Sequence, residues 1–266
     1  MKRSGWIMAA VLVLSLSAAC SREDPLLEGA FQVPRGFVAE SVLPEAQKDS
    51  LIQIAFDSLG RPVVSKERGH PTILLDNDGD GVFETEKIFS DKVQSLQGMW
   101  FEGRALYAIG FDTENRETGL YRAEDTDGDD VADNVEQLHL FTGPMQEHGP
   151  HDIRRTPDGA LSIMIGNHSH VPAEMIDPLS PLRGLREWQL LERYMDARGH
   201  ASGILAPGGA VFRLDRDTMQ YSIVAAGFRN AYNHAYNNEG EIFVVAASPQ
   251  IPAKISLRGS SMPRGS

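Results

Sequence analysis

One recurring phrase limits the fold of this chain more than any other feature. It is a run of alternating residues, a turn containing glycine, and a second run rich in β-formers. It reads IAFDSLGRPVVS at 54–65, MWFEGRALYAIG at 99–110, IRRTPDGALSIMIG at 153–166 and AYNNEGEIFVVAAS at 235–248. Gly60, Gly103, Gly159 and Gly240 stand at the turns, where a tight hairpin needs a positive φ. The flanking Val, Ile, Leu, Phe and Tyr suit half-buried, pleated strands. A second phrase falls between these hairpins: TILLDNDGDG from Thr72, GLYRAEDTDGDD from Gly119 and GAVFRLDRDT from Gly209. Each is a short apolar strand entering an Asp-rich turn, and each is followed by a further strand.

Two alternating phrases make a unit of four strands in roughly 40–50 residues, the period of a propeller blade. The expected fold class is therefore all-β, a β-propeller over residues 33–249. A β-sandwich with Greek-key links is the alternative. The spacing breaks once, between Gly159 and Gly240, and the excess is an insertion at 167–208. Within it LRGLREWQLLERYMDARGH has near-helical apolar spacing and predicts one short helix. That insertion is either functional or a cover for strand ends. About four blade phrases are visible, and the last stretch, 250–266, reads as an irregular tail without strand pattern. The expectation is an incomplete propeller from a partial protein.

Residues 1–20 are a separate object. Lys2 and Arg3 precede an apolar run from Trp6 to Leu16, too short to span a bilayer, and Ser17-Ala18-Ala19-Cys20 follows. This is the layout of a secretory signal. Cys20 is the only cysteine of the chain, and its place resembles the lipobox of bacterial lipoproteins, in which that residue is lipidated. Ser17 stands where Leu is usual, and an ordinary cleaved signal is the alternative. Ser21 after the cysteine points to the outer membrane, facing the periplasm, with residues 21–32 as a tether. The mature body has no cysteine for a disulfide and no CxxCH for a covalent haem. Apolar residues make up 41% of the chain, enough for a core, and the net charge is −12. That charge argues against the basic face that nucleic acid requires.

The Asp-rich turns carry the first candidate chemistry. Calcium loops bring several oxygens round one point, from positions 1, 3, 5, 9 and 12 and a carbonyl at 7. DTDGDDVADNVE supplies Asp125, Asp127, Asp129, the Val131 carbonyl, Asp133 and Glu136, with Asp130 where such a loop has Gly. DNDGDGVFE supplies Asp76, Asp78, Asp80 and Glu84, keeps Gly81, and ends on Lys87 in the last ligand place. No helices flank either loop, so these are calcium loops between strands or solvated hairpin turns. Any ion there would be structural.

The second candidate lies at 147–170, EHGPHDIRRTPDGALSIMIGNHSH, which holds four of the eight histidines. His148 and His151 flank Gly149-Pro150 just before a strand. The loop entering an inner propeller strand lies near the central axis, where a neutral imidazole can act as a general base. The alternatives are a hydrogen-bonded rim histidine or a zinc pair with His168 and His170. The third candidate is GFRNAYNHAYNNEG at 227–240. Arg229 can pair with a carboxylate through two parallel hydrogen bonds and Asn230 can add an amide contact; an Arg satisfying loop carbonyls is the alternative.

The strand phrase with HxxxD, PDG and the later GFRN resembles the soluble PQQ-dependent sugar dehydrogenases. It is closer still to the sorbosone-dehydrogenase-like propellers, in which phrases like DTDGDDVAD, RGHASGILAPGGAVFRLD and GFRN recur in this order. The likeness covers roughly residues 33–247. It implies a six-bladed propeller, PQQ as cofactor and a sugar or polyol as substrate. It also implies His148 as the base that takes the hydroxyl proton, and Arg229 and Asn230 as contacts to the quinone. Separating base from hydride acceptor suits the chemistry, because the cofactor carries the redox step and the protein orients it. Ala231 replaces the Pro that usually follows Arg-Asn. Asp152 and Ile153 stand where the sugar enzymes have a small residue and an Arg, and the later blades are absent. The other functional expectation is a non-enzymatic, calcium-braced propeller that binds a glycan or a partner protein.

Overall fold

The computed structural model describes residues 33–44, 50–143, 148–180, 182–183 and 208–246. The chain divides into two units, Met1–Val42 and Leu43–Ser266. The described part of the first is a turn in which Phe37 N–H donates to the Pro34 carbonyl. The second contains every strand. The signal segment with Cys20, the tether 21–32, the tail 250–266 and nearly all of the expected helix in the insertion lie outside the described residues.

Three antiparallel sheets of four strands follow one another, each built from consecutive strands in sequence order. The first holds β1 (Leu51–Phe56), β2 (Pro62–Lys66), β3 (Thr72–Leu75) and β4 (Thr85–Ile88). The second holds β5 (Val93–Glu102), β6 (Ala105–Asp112), β7 (Thr118–Glu124) and β8 (Asn134–Leu140). The third holds β9 (Pro150–Arg155), β10 (Leu161–Ile165), β11 (Gly209–Asp215) and β12 (Gln220–Phe228). A hairpin of β13 (Ala231–Tyr236) and β14 (Ile242–Ala246) opens the fourth. Every glycine phrase is the hairpin of the first two strands, and every Asp phrase is the turn of the last two. The four turn glycines have positive φ, from 61° at Gly103 to 89° at Gly159.

The sheets stack face to face, with the first strand of each beside the first strand of the next: β1 by β5, β5 by β9, β9 by β13. Among the described residues no strand crosses between sheets, so the architecture is that of a β-propeller and not a Greek-key sandwich. The period of two along each strand makes the stacking work. In β6, Leu106 and Ala108 join the core shared with the first sheet, while Tyr107 and Ile109 join the core shared with the third. In β10, Leu161, Ile163 and Ile165 face the second sheet, and Met164 faces the hairpin. Gly98 lets β5 approach β9: a Cβ there would lie 3.1 Å from the Ile153 nitrogen.

The β10–β11 connection is the long one, from Gly166 to Gly208, yet β10 and β11 pair in continuous register from Leu161↔Leu214 to Ile165↔Ala210. Its described part holds one 3-10 turn, Ala173–Met175, and returns to the sheet through a bridge from Ile176 to Tyr221. Antiparallel order then sorts the loops. In each sheet the glycine hairpin and the Asp turn share one end. The entry to the first strand and the connection between the second and third strands share the other.

Candidate functional site

His148 lies just before β9, and Arg229 and Asn230 lie just before β13, so the topology brings the entry segments of adjacent sheets together. Asn167, the second residue after β10, joins them. Its Oδ1 accepts the Nδ1–H of His148 at 2.6 Å, and its backbone N–H donates to the Arg229 carbonyl at 2.9 Å. With Nδ1 donating, the basic lone pair of a neutral His148 sits on Nε2. The ring is 2% exposed and stacks on His168 at 4.3 Å between centroids. The close turn around it needs a residue without a side chain, because a Cβ at Gly166 would fall 2.3 Å from the His148 carbonyl.

Asn230 is engaged within the protein at both ends of its amide. Its Oδ1 accepts from His151 Nε2 at 2.9 Å and its Nδ2 donates to the Tyr232 hydroxyl at 3.2 Å. It is 4% exposed, while Arg229 is half-buried. Asn230 thereby sets the positions of His151 and Tyr232.

Asp152 is fully buried and turned toward the fourth sheet. Its Oδ2 accepts the His234 backbone N–H at 2.9 Å and lies 3.0 Å from His234 Nδ1, close but off the line of a second hydrogen bond. His234 Nε2 meets Ser162 Oγ. This Ser–His–Asp set is buried throughout, on β10, β13 and β9, and it fastens the hairpin to the third sheet. It is not among the sites expected from sequence. The signal was there in a polar Ser162 and His234 placed on the inward register of apolar strands.

The Asp loops lie at the opposite end of their sheets. Asp76, Asp78, Asp80 and Glu84 each present an oxygen within 4.8 Å of the others, so the first loop gathers all four of its expected side-chain ligands. In the second loop Asp125, Asp127 and Asp133 gather in the same way. Asp129 and Glu136 are not part of that group. Asp129 turns its Oδ1 back to cap the Val131 N–H at 2.9 Å, and Glu136 lies within β8 opposite Arg122. That departs from the six-ligand expectation that included the Val131 carbonyl. Backbone N–H donors, Gly81 foremost, hold Asp76 below the usual carboxylate range.

Asp130, the residue in place of a loop glycine, has φ +68° and takes a bidentate grip from Arg61 at 2.9 and 2.6 Å. That pair pushes the Asp130 carboxyl below its ordinary value. Lys87 reaches the Asp129 carbonyl and the Arg104 guanidinium lies over Gly128. Protein cations thus already answer part of the second loop's charge. Asp76, Asp78 and Asp80 make no ion pair with a Lys or Arg among the described residues. The first loop gathers four carboxylates and the second three, although the second matches the ligand pattern in sequence more fully.

A family described as a domain of unknown function (DUF7133) matches residues 28–264. No curated protein matches the chain in sequence. Among solved structures, the chain is similar to the holo form of the pyranose dehydrogenase PQQ domain from Coprinopsis cinerea. The identity is 12%, over 79% of this chain and 48% of that one, with a TM-score of 0.50. It is similar to the PQQ-bound aldose sugar dehydrogenase from Streptomyces coelicolor at 13% identity, over 74% of this chain and 56% of that one, with a TM-score of 0.47. The calcium structure of the family AA12 protein from Trichoderma reesei gives 14% identity, 74% and 45% coverage and a TM-score of 0.47. The chain spans about half the length of these structures, and at such identities the likeness is one of fold. Its blades make it a β-propeller, and by its sequence the chain belongs to the DUF7133 family.

Proposed function

We propose that the chain is part of a quinone-dependent dehydrogenase that oxidises a hydroxyl of a sugar or polyol. The observation that carries the reading is the bridge through Asn167, which ties a buried imidazole of defined tautomer to the segment that bears Arg229. His148 Nε2 takes the hydroxyl proton, and Asn167 Oδ1 holds the ring in the orientation that permits it. Arg229 holds a carboxylate of the cofactor, and Asn230 keeps His151 and Tyr232 in place beside it. PQQ, when bound, supplies the hydride acceptor.

The same reading places the protein outside the cytoplasm, anchored through lipid on Cys20 at the outer membrane and facing the periplasm. Among the described residues no helix is long and apolar enough to cross a membrane. Calcium at the Asp loops braces the far ends of the first two sheets and takes no part in the chemistry. A non-enzymatic, glycan- or protein-binding propeller would use the same bracing but would not need the tautomer of His148.

The test is dye reduction by the chain loaded with PQQ in the presence of aldoses and polyols. His148→Gln and His148→Ala are each expected to lower the rate at least about a hundredfold, the usual worth of a general base, with circular dichroism unchanged. Activity that survives both changes removes His148 as the base. A wild-type chain that reduces no dye with any of these substrates overturns the dehydrogenase reading.

A further inference from the structure

Tyr232 is the second residue of β13, and the pairing with β14 skips it. Ala231 faces Ala246 and Asn233 faces Val245, so Tyr232 is the extra residue of a β-bulge. Bulges re-aim a side chain away from the alternation of the strand. Its neighbours Ala231 and His234 are buried, whereas Tyr232 is 41% exposed. The exposed ring is nevertheless held on two sides. It packs on the His151 ring at 4.6 Å between centroids, tilted by 35°. Its hydroxyl accepts from Asn230 Nδ2 at 3.2 Å, and Asn230 Oδ1 in turn takes His151 Nε2–H at 2.9 Å. Two side chains, His151 and Asn230, thus fix one aromatic ring at the entry to β13, three residues from Arg229.

We infer that Tyr232 is a stacking platform for a pyranose ring, a specificity residue that selects cyclic sugars over open-chain polyols. The inference rests on the reading of the site given above and narrows its substrate class. An aromatic face is electronegative and attracts the outward C–H bonds on the apolar face of a sugar ring. An open-chain polyol has no such flat face. A ring fixed before the ligand arrives loses little freedom on binding, which is the use of bracing an exposed Tyr. His151 and Asn230 act through Tyr232 and are positioning residues.

Saturation-transfer NMR on the full chain, without cofactor, tests this with D-glucose and D-sorbitol as probes. Saturation should reach the ring protons of glucose and not the chain protons of sorbitol. Tyr232→Ala should weaken the glucose signal about fivefold or more, and Tyr232→Phe, which keeps the ring, should retain it. The inference is overturned by no glucose signal in the wild type, by equal transfer to sorbitol, or by a signal that Tyr232→Ala leaves unchanged. Tyr232-dependent glucose binding without any dye reduction would uphold the platform and remove the dehydrogenase reading. Sugar oxidation indifferent to Tyr232→Ala, in rate and in KM, would do the reverse.

Discussion

Asn167 accepts a 2.6 Å hydrogen bond from Nδ1 of His148, joining the two outer ends of the β9–β10 hairpin. Both side chains are buried, so the bond is not exchanged for water. Losing one partner of a buried pair costs about 1–3 kcal/mol, here spent on the tautomer and angle of the imidazole. Asn167→Ala should lower kcat about tenfold to a hundredfold with KM for sugar little changed. Asn167→Asp keeps the acceptor and adds a charge that favours imidazolium. Its activity should persist, with the acid limb of the kcat–pH profile moved to higher pH. An Asn167→Ala enzyme with unchanged kcat and pH profile would show that the contact is packing alone.

Calcium should raise the melting temperature through the first loop more than through the second. Asp80 and Glu84 belong to a group of four carboxylates, whereas the second loop gathers three and already contacts Lys87 and Arg104. A ligand at a hundred times its dissociation constant stabilises by about 2.7 kcal/mol, or about 5–10 °C for a chain of this size. The paired change Asp80→Asn with Glu84→Gln keeps the caps that these oxygens supply and removes two charges. It should abolish most of the calcium-induced rise seen by calorimetry with and without EDTA. If EDTA shifts nothing, the loops are solvated turns.

The sequence revealed the blades because turns speak locally. Gly60, Gly103, Gly159 and Gly240 are demanded by backbone angles within two residues of themselves, and the Asp phrases mark the other turn of each sheet in the same way. Partnerships across the stack were not legible. Nothing near Arg61 in the chain announces Asp130, 69 residues on, and so Asp130 read only as a flaw in a calcium loop. Asn167 is silent in the sequence for the same reason: its role is visible only once β9 and β13 lie side by side. The neighbours of Asn230 in sequence likewise do not show that its amide also holds His151 and Tyr232.

Arg61 and Asp130 couple the first sheet to the second at the turn end. Their side chains are 25% and 33% exposed, so solvent screens the pair and its worth is about 1 kcal/mol. Asp130→Asn tolerates the same positive φ and removes the charge. In a double-mutant cycle with Arg61→Met, urea unfolding should show a coupling near that value, and additive single effects would show that the bidentate geometry contributes nothing.

His139 on β8 meets Tyr221 on β12, so a buried imidazole spans the second and third sheets. Burial lowers its pKa below the ordinary histidine value and raises that of Tyr221. The sign follows from proton counts. Above the unfolded-state value, about 6.5, His139 is neutral in both states and folding is unaffected. As pH falls below it the unfolded chain binds a proton that the native site refuses, so stability falls, by at most about 1.4 kcal/mol per pH unit. The carboxylates held low by Arg61 and by loop N–H groups act in a different window, losing their contribution only below about pH 4. Unfolding by urea at steps between pH 7 and 5 should therefore show declining stability in the wild type. His139→Gln should be less stable at pH 7 yet flatter across that range. An equal slope in both proteins would assign the loss to groups other than His139.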